Sequence, residues 1–169
     1  MRQIYEGKKS ALNELDKEME ARGLEFVRYA DDCIIMVGSE MAAKAKELTS
    51  RSWGVGNRYK IEKLNQLIRG WINYYKIGSM KSFCTKTDKH IRYRLRMCIW
   101  KHWKTAKNKA KNLMKLGVPK DRAYRAAYTK GIARICRTGD VQMAITNKRL
   151  AEFGLISMSE YYVKRRVKC

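Results

Sequence analysis

Acidic residues are scarce: 16 Asp and Glu stand against 38 Lys and Arg in 169 residues, a formal charge of +22. That excess is larger than solubility requires and points to a polyanionic partner, nucleic acid first and an anionic membrane surface second. Long apolar runs are missing too. No stretch of about 18 apolar residues exists, and the opening MRQIYEGKKS lacks the apolar core of a signal peptide. An intracellular, cytoplasmic protein that spans no membrane is therefore expected. Histidine occurs only as His90 and His102, and the five cysteines, Cys33, Cys84, Cys98, Cys136 and Cys169, lie at least 14 residues apart with no CxxC. That spacing argues against a zinc site or a disulfide framework and for reduced thiols. Nor is there a Walker-type phosphate loop, an HExxH pair or a Ser/His/Asp set at a useful spacing.

What is present is unevenly distributed. Residues 1–50 carry eight Lys and Arg against ten acids, net −2, whereas residues 51–169 carry thirty against six, net +24. Two different pieces meet near residue 50. A hydrophobic content of 45% is enough to build a core. Ile61, Leu64, Ile68, Trp71 and Tyr75 recur at helical steps and predict a helix over Lys60 to Ile77, with Lys63, Gln66, Arg69, Asn73 and Lys76 turned to a basic face. A second helix is expected from about Thr87 to Lys104. Its apolar side holds Ile91, Leu95, Cys98, Ile99 and His102, and another stripe holds Lys89, Tyr93, Arg96, Trp100 and Lys104. Alternating cation and ring suits RNA, because cations neutralise phosphates while rings and guanidinium planes stack on unpaired bases.

Around these two helices the punctuation is clear. A helix over Lys8 to Arg22 stops at Gly23, and short strands, Leu24 to Arg28 and Cys33 to Val37, flank Tyr29-Ala30-Asp31-Asp32 as a hairpin. Ser39 can cap a helix reaching Leu48. Downstream, Thr105 to Leu116 is stopped by Gly117 and followed by a helix opening at Pro119. Ile132 to Arg137 is ambiguous, Val141 to Phe153 reads as one helix closed by Gly154, and Ser157 starts a last one ending in Lys164, Arg165 and Arg166. The expected fold is mainly α: a helical bundle over residues 51–169, preceded by a small α/β remnant over residues 1–50 with one β-hairpin.

Adjacent carboxylates at a tight hairpin can hold divalent metal, and a two-metal site clamps the attacking and leaving oxygens of phosphoryl transfer. FVRYADDC, with LNELDKEME before it, resembles the palm hairpin of reverse transcriptases of the group II intron branch. The resemblance makes Asp31 and Asp32 the paired metal-binding aspartates, with Mg²⁺ held only if a third ligand is supplied. The family's third aspartate, its fingers and its PQG-type segment are absent from the residues before Tyr29, and KELT passes directly into SRSWGVGNRYK as if across an internal deletion. From Arg51 onward LNQLIRGWINYY and RLRMCIWKHWK resemble the maturase-specific (thumb, or X) domain of group II intron-encoded proteins, and the likeness extends through NKRLAEFGL. The HNH-type histidines and paired cysteines of the family's endonuclease module have no counterpart here.

The resemblance implies a truncated, maturase-type protein that binds group II intron RNA, and in some settings the intron's DNA target, and assists folding and splicing without a cofactor. The candidate RNA-binding residues are Arg58, Lys63, Arg69, Trp71, Tyr74, Tyr75 and Lys76 of the first helix and Lys89, Arg92, Arg96, Trp100, Lys101 and Lys104 of the second. Two other readings stand beside it. One is a minimal RNA-directed DNA polymerase using Asp31 and Asp32; the other is a decayed mobile-element remnant that binds nucleic acid without specificity.

Overall fold

The computed structural model describes residues 17, 27–29, 32–34, 39–75 and 80–166. Two three-residue strands, β1 (Val27–Tyr29) and β2 (Asp32–Ile34), pair antiparallel with Tyr29 opposite Asp32. Of the helix expected over Lys8 to Arg22 only Lys17 is described, and it is helical. The rest of the described chain is mainly helical: α1 (Ser39–Leu48), α2 (Asn57–Tyr75), α3 (Lys81–His102), α4 (Ala106–Lys115), α5 (Lys120–Tyr128), α6 (Ile132–Ile135), α7 (Gly139–Ala144), α8 (Asn147–Glu152) and α9 (Met158–Arg166).

The long helix α3 is the centre of the bundle, touched by α1, α2, α6 and α9. It begins six residues before the expected Thr87 because Phe83 and Cys84, together with Met80 just ahead of the helix, continue the buried stripe of Thr87, Ile91, Leu95 and Cys98 backwards at helical steps. On α2 the stripe is Ile61, Leu64, Ile68 and Ile72, each worth about 1.5–3 kcal/mol when fully buried. Trp71 and Tyr75, expected on that stripe, are displaced to its flank and half-buried. Trp71 stacks on Phe83 there, with ring centroids 4.8 Å apart and planes at 28°.

Turn chemistry closes the helices. After α4, Val118 N–H donates to Leu113 O and Gly117 N–H to Met114 O; after α8, Leu155 N–H donates to Leu150 O and Gly154 N–H to Ala151 O. Both are Schellman closures, and Gly117 and Gly154 take φ values of 93° and 95° that side-chain-bearing residues rarely adopt. The single helix expected over Val141 to Phe153 is instead two. Thr146 leaves helical geometry at ψ 162° and caps α8 by accepting from Arg149 N–H at 3.1 Å. The carbonyls freed at this break are taken by arginines: Ile145 O by Arg96 Nε at 2.9 Å and Ala144 O by Arg149 Nη1.

Candidate nucleic-acid interface

The cations of α3 divide between structure and surface. Arg94 donates to Thr49 Oγ1 at 3.1 Å, Lys46 O at 3.1 Å and Thr49 O at 3.3 Å, and so holds the C-terminal end of α1. The buried Lys60 of α2 meets the same end through Ser50 O at 2.7 Å, and Lys101 donates to Arg51 O at 3.0 Å. Arg96 is only 8% exposed, bound to Ile145 O and to Asn147 Oδ1, and burial pushes its guanidinium below the usual arginine value. The expectation of Arg96 as a surface phosphate contact is thus corrected: the side chain is buried and donates to both sides of the break between α7 and α8.

Trp100 is corrected too. It is 2% exposed, lies in the core beside Trp103 with centroids 5.7 Å apart, and is covered by Lys109, whose Nζ lies 5.4 Å from its ring. A ring enclosed in this way has no face left for a base. His102, expected on the apolar side of α3, is exposed at the helix end. Lys104 lies beyond the helix at φ 53°, where it ends the turn.

Asp88 fixes the last helix. Its carboxylate accepts from Met158 N–H at 2.8 Å, Ser159 N–H at 3.0 Å, and the hydroxyls of Ser157 at 3.0 Å and Ser159 at 2.7 Å. A buried carboxylate on α3 therefore caps the N-terminus of α9 across the bundle, where the helix dipole favours negative charge. Arg92 completes the cluster, donating to Ser157 Oγ at 3.2 Å with its Nη2 3.7 Å from Asp88 Oδ2.

With α9 held there, two grooves open on one side of α3. The first, of about 660 Å³, is walled by Arg69, Arg92, Lys148, Tyr161, Lys164 and Arg165, with Glu160 at its edge. The second, of about 640 Å³, is walled by Lys89, Arg92, Tyr93, Arg96, Arg137 and Asn147. Arg92 and Asn147 belong to both, so the two form one trough lined by eight cations and one acid. Opposed charge of that ratio focuses a positive field in the cleft. His90, beside Arg94 and Lys46, is held below the usual histidine value by burial first and those cations second, so it is neutral at pH 7.

Of the residues expected to bind RNA, Arg69, Lys89, Arg92 and Arg96 come together in the trough. Arg58, Lys63, Lys101 and Lys104 do not line it, and Lys76 lies outside the described residues. Trp71, Tyr74 and Tyr75 line a separate hollow of about 380 Å³ with Met41 and Leu67, and Tyr74 is 72% exposed. Arg137, Lys148, Tyr161, Lys164 and Arg165 were not singled out as contacts from sequence, although the basic end of the last helix was noted. Asp31 lies outside the described residues, and Asp32 opens β2. Among the described residues no group of three or more His, Cys, Asp or Glu comes together to hold a metal ion, and no helix is long and apolar enough to cross a membrane.

Residues 39–117 match the family model described as group II intron, maturase-specific domain. That segment is similar to the maturase-specific domain of group II introns. The maturase-specific match spans α1 to α4 and ends at Gly117, so it takes in the Arg69, Lys89, Arg92 and Arg96 wall of the trough. The opposite wall, from Arg137 to Arg165, lies beyond it. A comparison with curated proteins finds no match.

Proposed function

We propose that this maturase-related chain binds group II intron RNA in the trough beside α3 and assists the intron's folding and splicing. The RNA supplies the transesterification chemistry. The protein supplies charge and shape, and binding draws on no cofactor. The observation that carries this reading is the continuity of the two grooves, whose eight cations face a single acid. Scattered surface lysines repel one another and give no register, whereas cations converging on one cleft from α2, α3, α8 and α9 can follow a phosphate backbone. The maturase-specific match to residues 39–117 supports intron RNA as the backbone in question.

The test is equilibrium binding of intron RNA and of a generic duplex over a range of salt. Intron RNA is expected to hold a preference of at least about tenfold at physiological salt, because specific contacts survive where counterion release fades. Lys89→Ala, Lys148→Ala and Lys164→Ala should each lower the salt slope by about 0.7–0.9, the share of one phosphate contact, while Lys107→Ala on the exposed side of α4 should leave it unchanged. Equal affinity for both RNAs, with Lys107→Ala as costly as the trough variants, overturns the proposal. It would leave a polyanion binder without a site.

A further inference from the structure

Phosphate binding does not account for two pairs of side chains in the trough. In the first groove Arg165 lies over the ring of Tyr161, its Cζ 5.2 Å from the centroid, and its Nε donates to the Tyr161 hydroxyl at 3.0 Å. In the second groove Arg137 lies over the ring of Tyr93 at 5.1 Å, and the Tyr93 hydroxyl donates to Ala133 O at 3.1 Å. Each arginine is exposed and each tyrosine half-buried, so each cation is pinned to a ring that the fold itself holds. Between the two pairs stands the wall that both grooves share, Arg92 and Asn147.

A phosphate needs only a point charge, and a lysine supplies that without a ring beneath it. A guanidinium held against an aromatic ring adds a flat, weakly hydrated surface suited to the face of a nucleobase. In a duplex those faces are already covered by neighbouring base pairs, so only unpaired nucleotides can use them.

We infer that the trough takes an unpaired stretch of RNA. One base stacks at the Tyr161–Arg165 pair and another at the Tyr93–Arg137 pair, and the phosphates between them lie along Arg92 and Asn147. This rests on the RNA-binding reading above and names the kind of RNA the site selects.

The experiment uses the whole chain and three RNAs of equal phosphate count: a single strand of about 12 nucleotides, the same strand with abasic sites in place of its central bases, and a closed hairpin. That length lies within the roughly 4–16 nucleotides covered by single-strand sites. The intact strand should bind about tenfold tighter than the abasic strand, and Arg137→Lys or Arg165→Lys, which keep the charge but lose the plane, should each weaken it about fivefold. Hairpin binding should change less than about twofold in those variants, since phosphates carry it. Equal binding of the intact and abasic strands, or lysine variants indistinguishable from the parent, overturns the base-stacking inference and leaves the trough as a backbone-binding site. Failure of the chain to retain any of the three overturns the RNA-binding reading as well.

Discussion

Replacing Asp88 by Asn removes a negative charge from the edge of a strongly positive trough, and on charge alone RNA binding should tighten, by up to about 1 kcal/mol. The architecture predicts the opposite sign. Asp88 is 3% exposed and accepts four hydrogen bonds from Ser157 and the first turn of α9, in addition to its approach to Arg92. Asparagine keeps one acceptor, enough for Met158 N–H, but turns an amide donor towards Ser159 N–H and Arg92. Hydrogen bonds to a charged acceptor are worth about 1.5–3 kcal/mol each, and an N-cap about 1, but shared bonds do not add. We expect a loss of about 2 kcal/mol for Asp88→Asn and about 3–4 for Asp88→Ala, read as shifts of the urea midpoint followed by circular dichroism. Because α9 carries Tyr161, Lys164 and Arg165, its fraying should weaken RNA binding about threefold to tenfold despite the added net charge, as 1.4 kcal/mol corresponds to tenfold. Unchanged stability together with tighter binding would refute the view that Asp88 builds the trough.

Arg96→Met leaves Ile145 O and Asn147 Oδ1 without their donor and should cost about 2–3 kcal/mol, with a lowered urea midpoint. Trp100→Ala should cost about 3–5 kcal/mol as a core truncation, whereas Tyr74→Ala should stay within about 0.5; parallel thermal melts separate them. The thiols of Cys84 and Cys136 are pushed up to about 12, from 9.0, chiefly by burial. The unfolded chain releases these protons first, so it binds fewer protons than the native state and stability falls as pH rises from about 9 towards 12. Urea midpoints measured across that range should decline, and less so in a Cys84→Ala/Cys136→Ala protein; a flat profile in both would refute the assignment.

The parts of this fold that are legible in sequence are those set by neighbours in the chain. Ile61, Leu64 and Ile68 mark the buried face of α2 by spacing alone, and Gly117 and Gly154 mark helix ends because a left-handed turn there favours glycine. The second helix misleads for a physical reason. A helix surrounded by others has no single apolar face, so the Tyr93, Arg96 and Trp100 side of α3 reads as solvated when much of it is buried. Arg96 looks like a surface cation because the carbonyl it serves, Ile145 O, lies 49 residues away. The break between α7 and α8 is hidden by the same distance, since an apolar run continues across it and only Thr146 hints at a cap. The trough itself is drawn from residues between Arg69 and Arg165, and no local pattern announces that they converge.

The charge excess has two uses, and the first makes the second possible. Helices end in unpaired carbonyls, and here several of those ends are met by buried or half-buried cations reaching from elsewhere: Lys60 and Arg94 at the end of α1, Arg96 and Arg149 at the end of α7. A carbonyl satisfies an arginine's donors without cancelling its charge, whereas a carboxylate would cancel it. Stabilising the bundle through carbonyls therefore needs few acids, and the field of the structural cations adds to that of the cations lining the trough. Asp88 is an exception that follows from the geometry, because the start of a helix offers donors rather than acceptors, and a carboxylate on α3 can accept from several of them at once. An acidic residue introduced in place of Lys89 or Lys148 would weaken RNA binding without touching the fold, since neither side chain holds a helix end.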